Sequence, residues 1–183
     1  MHPMLPYYGI GLLLLGFVAA AVYTQRSAIK LTARGWDDLL LKLEHVDTAG
    51  LKAVAQDYLD PTENQTRLQP EELWKLLGGH EGLLRMRSNA GLMLALAAHA
   101  QQWNFEEATI VGERMRRDSL RLRKAVMRVE FGLLRYYLLR RFCVHAPFHL
   151  QEAAGAYYLM RQRLLALCLT SHAGRYTTLA AAL

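Results

Sequence analysis

Hydrophobic positions form one unbroken run near the start of the sequence and recur at helical spacing after it. No charged side chain lies between His2 and Arg26, and the apolar core of the run extends from Leu5 to Tyr23. In a helix these residues span about 28 Å, close to the hydrocarbon thickness of a bilayer. Tyrosines near both ends of the run suit the headgroup layer. The pattern predicts a transmembrane helix over roughly residues 4–25.

Two other interpretations of the apolar run are weaker. A cleaved signal peptide would find an A-x-A site at Ala19-Ala20-Ala21, but no Lys or Arg precedes the run. A buried core helix is usually shorter and amphipathic, whereas this run is apolar on all sides. Gly16 and Ala20 form a small-xxx-small pair, which is typical of contacts between transmembrane helices. We therefore expect residues 1–34 to form a membrane anchor with a juxtamembrane extension.

The basic residues near the apolar run predict its orientation. Arg26, Lys30 and Arg34 follow the run, and no Lys or Arg comes before it. The positive-inside rule then places the N-terminus outside and the C-terminal domain in the cytoplasm. The two cysteines, Cys143 and Cys168, are too few for a disulfide scaffold and fit a reducing compartment.

Beyond Gly35, apolar residues recur three and four positions apart, and no segment alternates as a strand does. The predicted helices cover residues 36–46, 48–59, 70–77, 81–103, 105–142 and 147–171, with alternative breaks at Ser88 and at Asp118-Ser119. Helix starts are indicated by Asp47 or Thr48, Pro70 and Asn104, and helix ends by Gly78-Gly79 and Gly174. The alanine-rich end of the sequence is ambiguous. We expect residues 35–183 to form an all-α bundle of about five to seven helices.

One predicted turn resembles the inter-helix turn of a tetratricopeptide unit. Ala97-x-x-Ala100 is followed by Asn104 to Ala108, and Glu107 is placed to complete a capping box with Asn104. The resemblance covers this turn alone, and no second copy occurs at a period of about 34 residues. The pattern therefore predicts a helical hairpin and not a repeat array.

The net charge of +6 comes from one segment. Residues 114–141 contain ten Lys or Arg against Asp118 and Glu130, whereas the rest of the sequence has slightly more acidic than basic residues. On a helical wheel, six of the basic side chains fall within about 80° of one another. These six are Arg114, Arg117, Arg121, Lys124, Arg128 and Arg135. The opposite side is apolar and consists of Met115, Leu122, Val126, Val129, Leu133, Tyr136 and Tyr137. We expect the apolar side to face the core and the basic side to be exposed.

The basic side of this helix has four interpretations. It is either a solvated surface that keeps the domain soluble, or it binds anionic lipid headgroups, an acidic neighbouring subunit or nucleic acid. No nucleic-acid-binding module is recognisable, and the predicted anchor ties the chain to a membrane. A protein partner or anionic lipid is therefore favoured over nucleic acid.

Only one motif in the sequence suggests a metal site or a catalytic role. Cys143, His145 and His149 form a C-x-H-x3-H pattern of zinc-type donors, but no fourth donor is evident and Pro147 interrupts the pattern. No phosphate-loop, dinucleotide-binding, zinc-protease or serine-hydrolase motif is present. His99 lies among alanines and is interpreted as a core or interface residue. We expect no catalytic residue and no cofactor.

Three functional hypotheses follow. The first is a non-catalytic accessory subunit of a multi-protein membrane complex, by analogy with the small one-span subunits of photosynthetic and respiratory complexes. The second is a free membrane-tethered adaptor that recruits an acidic partner or binds anionic lipid. The third is a metal-dependent enzyme that uses the cluster of Cys143, His145 and His149.

Overall fold

A computed structural model describes residues 34–60, 68–139, 146–171 and 173–183. These ranges contain seven helices: α1 Trp36–Leu40, α2 Thr48–Leu59, α3 Pro70–Leu76, α4 Gly79–Ala100, α5 Phe105–Leu139, α6 Ala146–Ser171 and α7 Ala173–Ala182. They contain no strand, which confirms the all-α prediction. None of these seven helices is both long and apolar enough to cross a membrane. The predicted anchor, with Gly16 and Ala20, lies outside the described residues.

Helix α6 is the centre of the bundle. It packs against α2, α3, α4, α5 and α7. Because neighbours surround it, its buried residues are spread around the helix: Leu150, Ala153, Ala154, Tyr157, Met160, Leu164 and Cys168. Small residues near its start allow close approach of α2. A Cβ on Gly155 would lie 2.6 Å from Cδ1 of Tyr58, so only glycine fits there without a shift of the ring.

The helix boundaries predicted at Asp47, Pro70 and Gly78-Gly79 are confirmed. The Asp47 side chain accepts a hydrogen bond from the backbone N–H of Ala49 at the start of α2. Helix α3 begins at Pro70, and Gly78 and Gly79 follow it with φ of +73° and +66°. This left-handed conformation turns the chain directly into α4, and it is one that glycine adopts without strain.

Helix α1 is shorter than predicted, because it ends at Leu40 and not near Val46. The side chain of Asn89 explains the difference. Its Oδ1 accepts from the backbone N–H of Glu44 at 3.0 Å, and its Nδ2 donates to the Glu44 carbonyl at 2.6 Å. The backbone is thus hydrogen-bonded outside a helix, and Val46 still reaches the core with 5% exposure.

Helices α4 and α5 form the predicted hairpin, and neither is broken. Helix α4 runs through Ser88, and α5 runs through Asp118 and Ser119 as a single helix of 35 residues, about 52 Å long. Asp118 and Ser119 are polar residues that do not interrupt α5, because both are buried within the bundle and Asp118 pairs with Arg163 of α6. At the hairpin turn, the Asn104 Oδ1 accepts from the Glu107 N–H.

The ambiguous end of the sequence is helical. Gly174 was expected to end the preceding helix, but it lies inside α7. Leu179 and Leu183 are buried, which ties α7 to the bundle. Near the start of α7, the guanidinium carbon of Arg175 lies 5.4 Å and 4.8 Å from the ring centroids of Trp36 and Trp103. This cation–π contact joins α1, the hairpin turn and α7 at one end of the bundle.

Candidate docking surface on helix α5

Helix α5 has one buried side and one basic side, as its sequence predicts. Met115, Leu122, Val126 and Val129 are at most 2% exposed and face α4 and α6. All eight Lys and Arg residues between positions 114 and 135 are exposed: Arg114, Arg116, Arg117, Arg121, Arg123, Lys124, Arg128 and Arg135. The six residues predicted from the wheel are among them. The orientation of the helix is therefore as expected, whereas the binding role of the six residues stays a prediction.

Few carboxylates neutralise this basic surface. Glu113 lies 3.4 Å from Arg116 and 3.7 Å from Arg117, and Glu152 of α6 lies 3.7 Å from Arg128. No ion pair within the described part of the chain involves the other five, which are Arg114, Arg121, Arg123, Lys124 and Arg135. The surface therefore keeps a strong positive charge.

The two acidic residues of the segment do not offset that charge. Asp118 is 3% exposed and pairs with Arg163 inside the bundle. Glu130 faces α4, where it lies 3.9 Å from His80 and 3.6 Å from Arg87. Partial burial lowers the pKa of Arg163, and repulsion from the charge of Arg114 adds to the shift. The positive field of α5 thus extends to the neighbouring helix.

The structure also shows an apolar ridge that the sequence reasoning missed. Leu120, Met127, Phe131 and Leu134 are 65%, 61%, 66% and 54% exposed. At 100° per residue they fall within about 60° of one another, separate from the buried side of the helix. Arg123 flanks this ridge on one side with Arg116 at the ridge's edge, and the six predicted basic residues flank it on the other side. On the helical wheel these four residues form a second apolar arc, and this arc is the sequence signal that could have revealed the ridge.

The predicted metal-type cluster is only partly covered by the structure. His149 lies on α6, where its Nδ1 is 3.4 Å from Oε2 of Glu152, whereas Cys143 and His145 lie outside the described residues. Among the residues that are described, no group of three His, Cys, Asp or Glu side chains could hold a metal ion. The cluster therefore stays a prediction.

The buried cysteine is in an environment that suppresses its reactivity. Cys168 on α6 is fully buried, and burial raises the pKa of its thiol to about 11, although the charge of Arg175 opposes the shift. The thiol is therefore protonated near neutral pH. Because the thiolate is the nucleophilic form, Cys168 is suited to packing and not to covalent catalysis.

His99 connects the bundle to the segment that precedes it. Its Nε2 lies 2.6 Å from the carbonyl oxygen of Arg34, and because a carbonyl only accepts, that ring nitrogen carries the hydrogen. The side chain is half-buried on α4. This agrees with its interpretation as a core or interface histidine. It fixes the point at which the chain enters the bundle.

A shallow groove lies on another part of the surface. Its lining includes the apolar Val46 and Leu77 and the polar His45, Glu81 and Arg85. Arg85 is engaged by two carboxylates, at 3.7 Å from Glu44 and 3.5 Å from Glu81. The groove presents no pair of a nucleophile and a base within hydrogen-bonding distance, and it does not compete with α5 as a candidate site.

Comparisons with known proteins give no relative for this chain. No protein-family model matches the sequence, no curated protein matches it, and no solved structure matches the fold.

Proposed function

We propose that this chain is a non-catalytic accessory subunit of a multi-protein membrane complex, anchored by its N-terminal apolar run and engaging an anionic partner through the basic face of α5. The observation that carries the proposal is the set of exposed cations on α5, five of which have no ion-pair partner within the described ranges. A binding surface for an anionic partner needs this arrangement, whereas the fold itself does not.

The spacing of the cations supports a binding role. Arg114, Arg117, Arg121, Lys124 and Arg128 follow one another three or four residues apart, so each is a direct neighbour of the next on the helix surface. Like charges in such pairs destabilise a helix by about 0.2–0.5 kcal/mol each, or roughly 1–2 kcal/mol for the four pairs. An anionic partner relieves this repulsion. A surface that served solubility alone gains nothing from grouping its charges in this way.

The attachment point of the proposed anchor also supports the proposal. The hydrogen bond from His99 holds the carbonyl of Arg34 against α4, so the preceding segment meets the bundle at a fixed place. With residues 4–25 in the bilayer, the basic residues after the run place the bundle on the cytoplasmic side. Gly16 and Ala20 then offer a close-packing contact to a neighbouring transmembrane helix.

A native-detergent purification of the full chain from its own membranes tests this proposal. Recovery of integral membrane subunits in a fixed ratio to the tagged chain is the expected result. Recovery of the chain alone in the membrane fraction would contradict the accessory-subunit role and favour the membrane-tethered adaptor, which the same basic face supports. Recovery of the chain in the soluble fraction would refute the anchor.

A further inference from the structure

We propose that the exposed face of α5 docks onto an anionic bilayer surface, with its apolar ridge in the interface and its arginines and lysine on the headgroups. This inference rests on the proposed function and names the partner of the same basic face. The ridge consists of Leu120, Met127, Phe131 and Leu134 and extends over about 21 Å of helix. The juxtaposition of exposed apolar side chains with unpaired cations is what requires an explanation.

The arrangement around the helix is that of an interfacial helix. Such helices place a narrow apolar arc in the acyl boundary and basic side chains at its flanks, where they reach phosphate. On α5, Arg123 lies on one side of the ridge with Arg116 at the ridge's edge, and Arg117, Lys124 and Arg128 lie on the other side. Long basic side chains keep their charge in the headgroup layer while their methylenes cover apolar surface. Both flanks therefore match an anionic bilayer.

A partner helix fits the ridge less well. Leu120, Met127 and Leu134 recur at intervals of seven residues, which is one half of a coiled-coil seam. The other half would be at positions 123 and 130 in one register, which are Arg123 and Glu130, or at positions 117, 124 and 131 in the other, which are Arg117, Lys124 and Phe131. Either register brings two charged side chains into the seam, and these disfavour a dry contact between two helices. A bilayer interface does not require apolar residues at both seam positions, because lipids adapt to the shape of the ridge.

The bundle is free to present this face to a membrane. The buried side of α5 is occupied by α4 and α6, so docking uses a surface that folding leaves open. Ten residues separate Tyr23 from Arg34, and ten residues reach at most about 35 Å. The chain between the apolar run and the bundle is long enough for α5 to lie along the bilayer.

Depth-dependent quenching in nanodiscs tests the inference. The full chain carries Cys143→Ser, and an environment-sensitive fluorophore is attached at Met127→Cys, while Cys168 is buried and does not react. Leu84→Cys on α4 is the matched control, because Leu84 is an exposed apolar residue on another helix. The discs contain either phosphatidylcholine alone or a mixture with phosphatidylglycerol, and spin-labelled lipid is the quencher.

We expect quenching at position 127 to increase at least threefold in the anionic discs, while quenching at position 84 does not change. In the Met127→Cys chain, Arg121→Gln with Lys124→Gln should remove most of the increase, and Lys52→Gln with Lys75→Gln, an equal charge change on α2 and α3, should leave it. Equal quenching at position 127 in both kinds of disc would overturn the inference. The inference would also be overturned if an acidic protein covered the fluorophore at position 127 while spin-labelled lipid did not quench it.

Failure of the lipid contact and failure of the accessory-subunit role give different experimental results. The nanodisc experiment uses the isolated chain and needs no other subunit. A chain that co-purifies with integral subunits but shows no quenching at position 127 keeps the accessory role and loses the lipid contact. A chain that purifies alone but is quenched loses the accessory role and keeps the lipid contact.

Discussion

Replacement of Asn89 by alanine tests how the bundle holds the chain between α1 and α2. Asn89 is 1% exposed and makes three hydrogen bonds through its amide. Two satisfy the N–H and carbonyl of Glu44, and the third is donated to the Tyr157 hydroxyl at 3.1 Å. At about 1 kcal/mol each, loss of these bonds costs roughly 3 kcal/mol, and the higher helix propensity of alanine returns about 0.5 kcal/mol. We expect Asn89→Ala to lower the free energy of unfolding by about 2–3 kcal/mol.

Equilibrium denaturation followed by circular dichroism, with the full chain in detergent, measures this effect. Ser88→Ala is the control, because Ser88 is exposed on the same helix and its loss should change stability by less than about 0.5 kcal/mol. Tyr157→Phe should cost less than Asn89→Ala, and the double variant should show coupling of about 0.5–1 kcal/mol through the shared hydrogen bond. A cost for Asn89→Ala no larger than that of Ser88→Ala would refute the role assigned to this amide.

Three further predictions concern packing and buried charge. Gly155→Ala should destabilise the bundle by about 1–2 kcal/mol because its Cβ meets the ring of Tyr58, whereas Gly112→Ala, with only ordinary contacts, should stabilise it by up to about 1 kcal/mol. Asp118→Ala should cost about 2–4 kcal/mol because Arg163 is left half-buried without its partner, and a thermal melt measures the loss. The thiol of Cys168 has a raised pKa of about 11, so its contribution to stability is complete below about pH 9 and decreases as pH rises to about 11.

Each of these predictions has its own control. If Gly155→Ala and Gly112→Ala destabilised the bundle equally, the result would contradict the close approach of α2 and α6. Glu113→Ala removes an exposed ion pair, so a loss equal to that of Asp118→Ala would contradict the buried pair. Cys168→Ala should have a smaller decrease in stability between about pH 9 and pH 11 than the unmodified chain, and identical pH profiles would contradict the burial of the thiol.

Local sequence signals predicted much of the fold, because capping and breaking residues act within one helical turn. Asp47, Pro70 and Gly78 mark boundaries that the structure confirms. The end of α1 could not be predicted in this way. It depends on Asn89, which is 45 residues away from Glu44 along the chain, and helical periodicity alone extends α1 to Val46. Tertiary hydrogen bonding overrides local propensity at such a position.

The candidate docking surface on α5 was also predicted only in part from the sequence. The basic side of α5 follows from sequence alone, because exposed cations and buried apolar residues separate cleanly on a helical wheel. The apolar ridge was missed because its four residues belong to neither the predicted buried side nor the predicted basic side and were left unassigned. The structure distinguishes Met115, which is fully buried, from Met127, which is 61% exposed, although both are methionines on the same helix. Only the positions of α4 and α6 decide which apolar arc is covered.

Photo-crosslinking in native membranes tests whether the basic face of α5 contacts anionic lipid. A photoreactive amino acid replaces Lys124 on the basic face of α5, and the same amino acid replaces the exposed Lys52 of α2 in a control chain. We expect position 124 to form adducts with anionic phospholipid and position 52 to form few. Adduct yields from position 124 that do not exceed those from position 52 would contradict a docking role for this face.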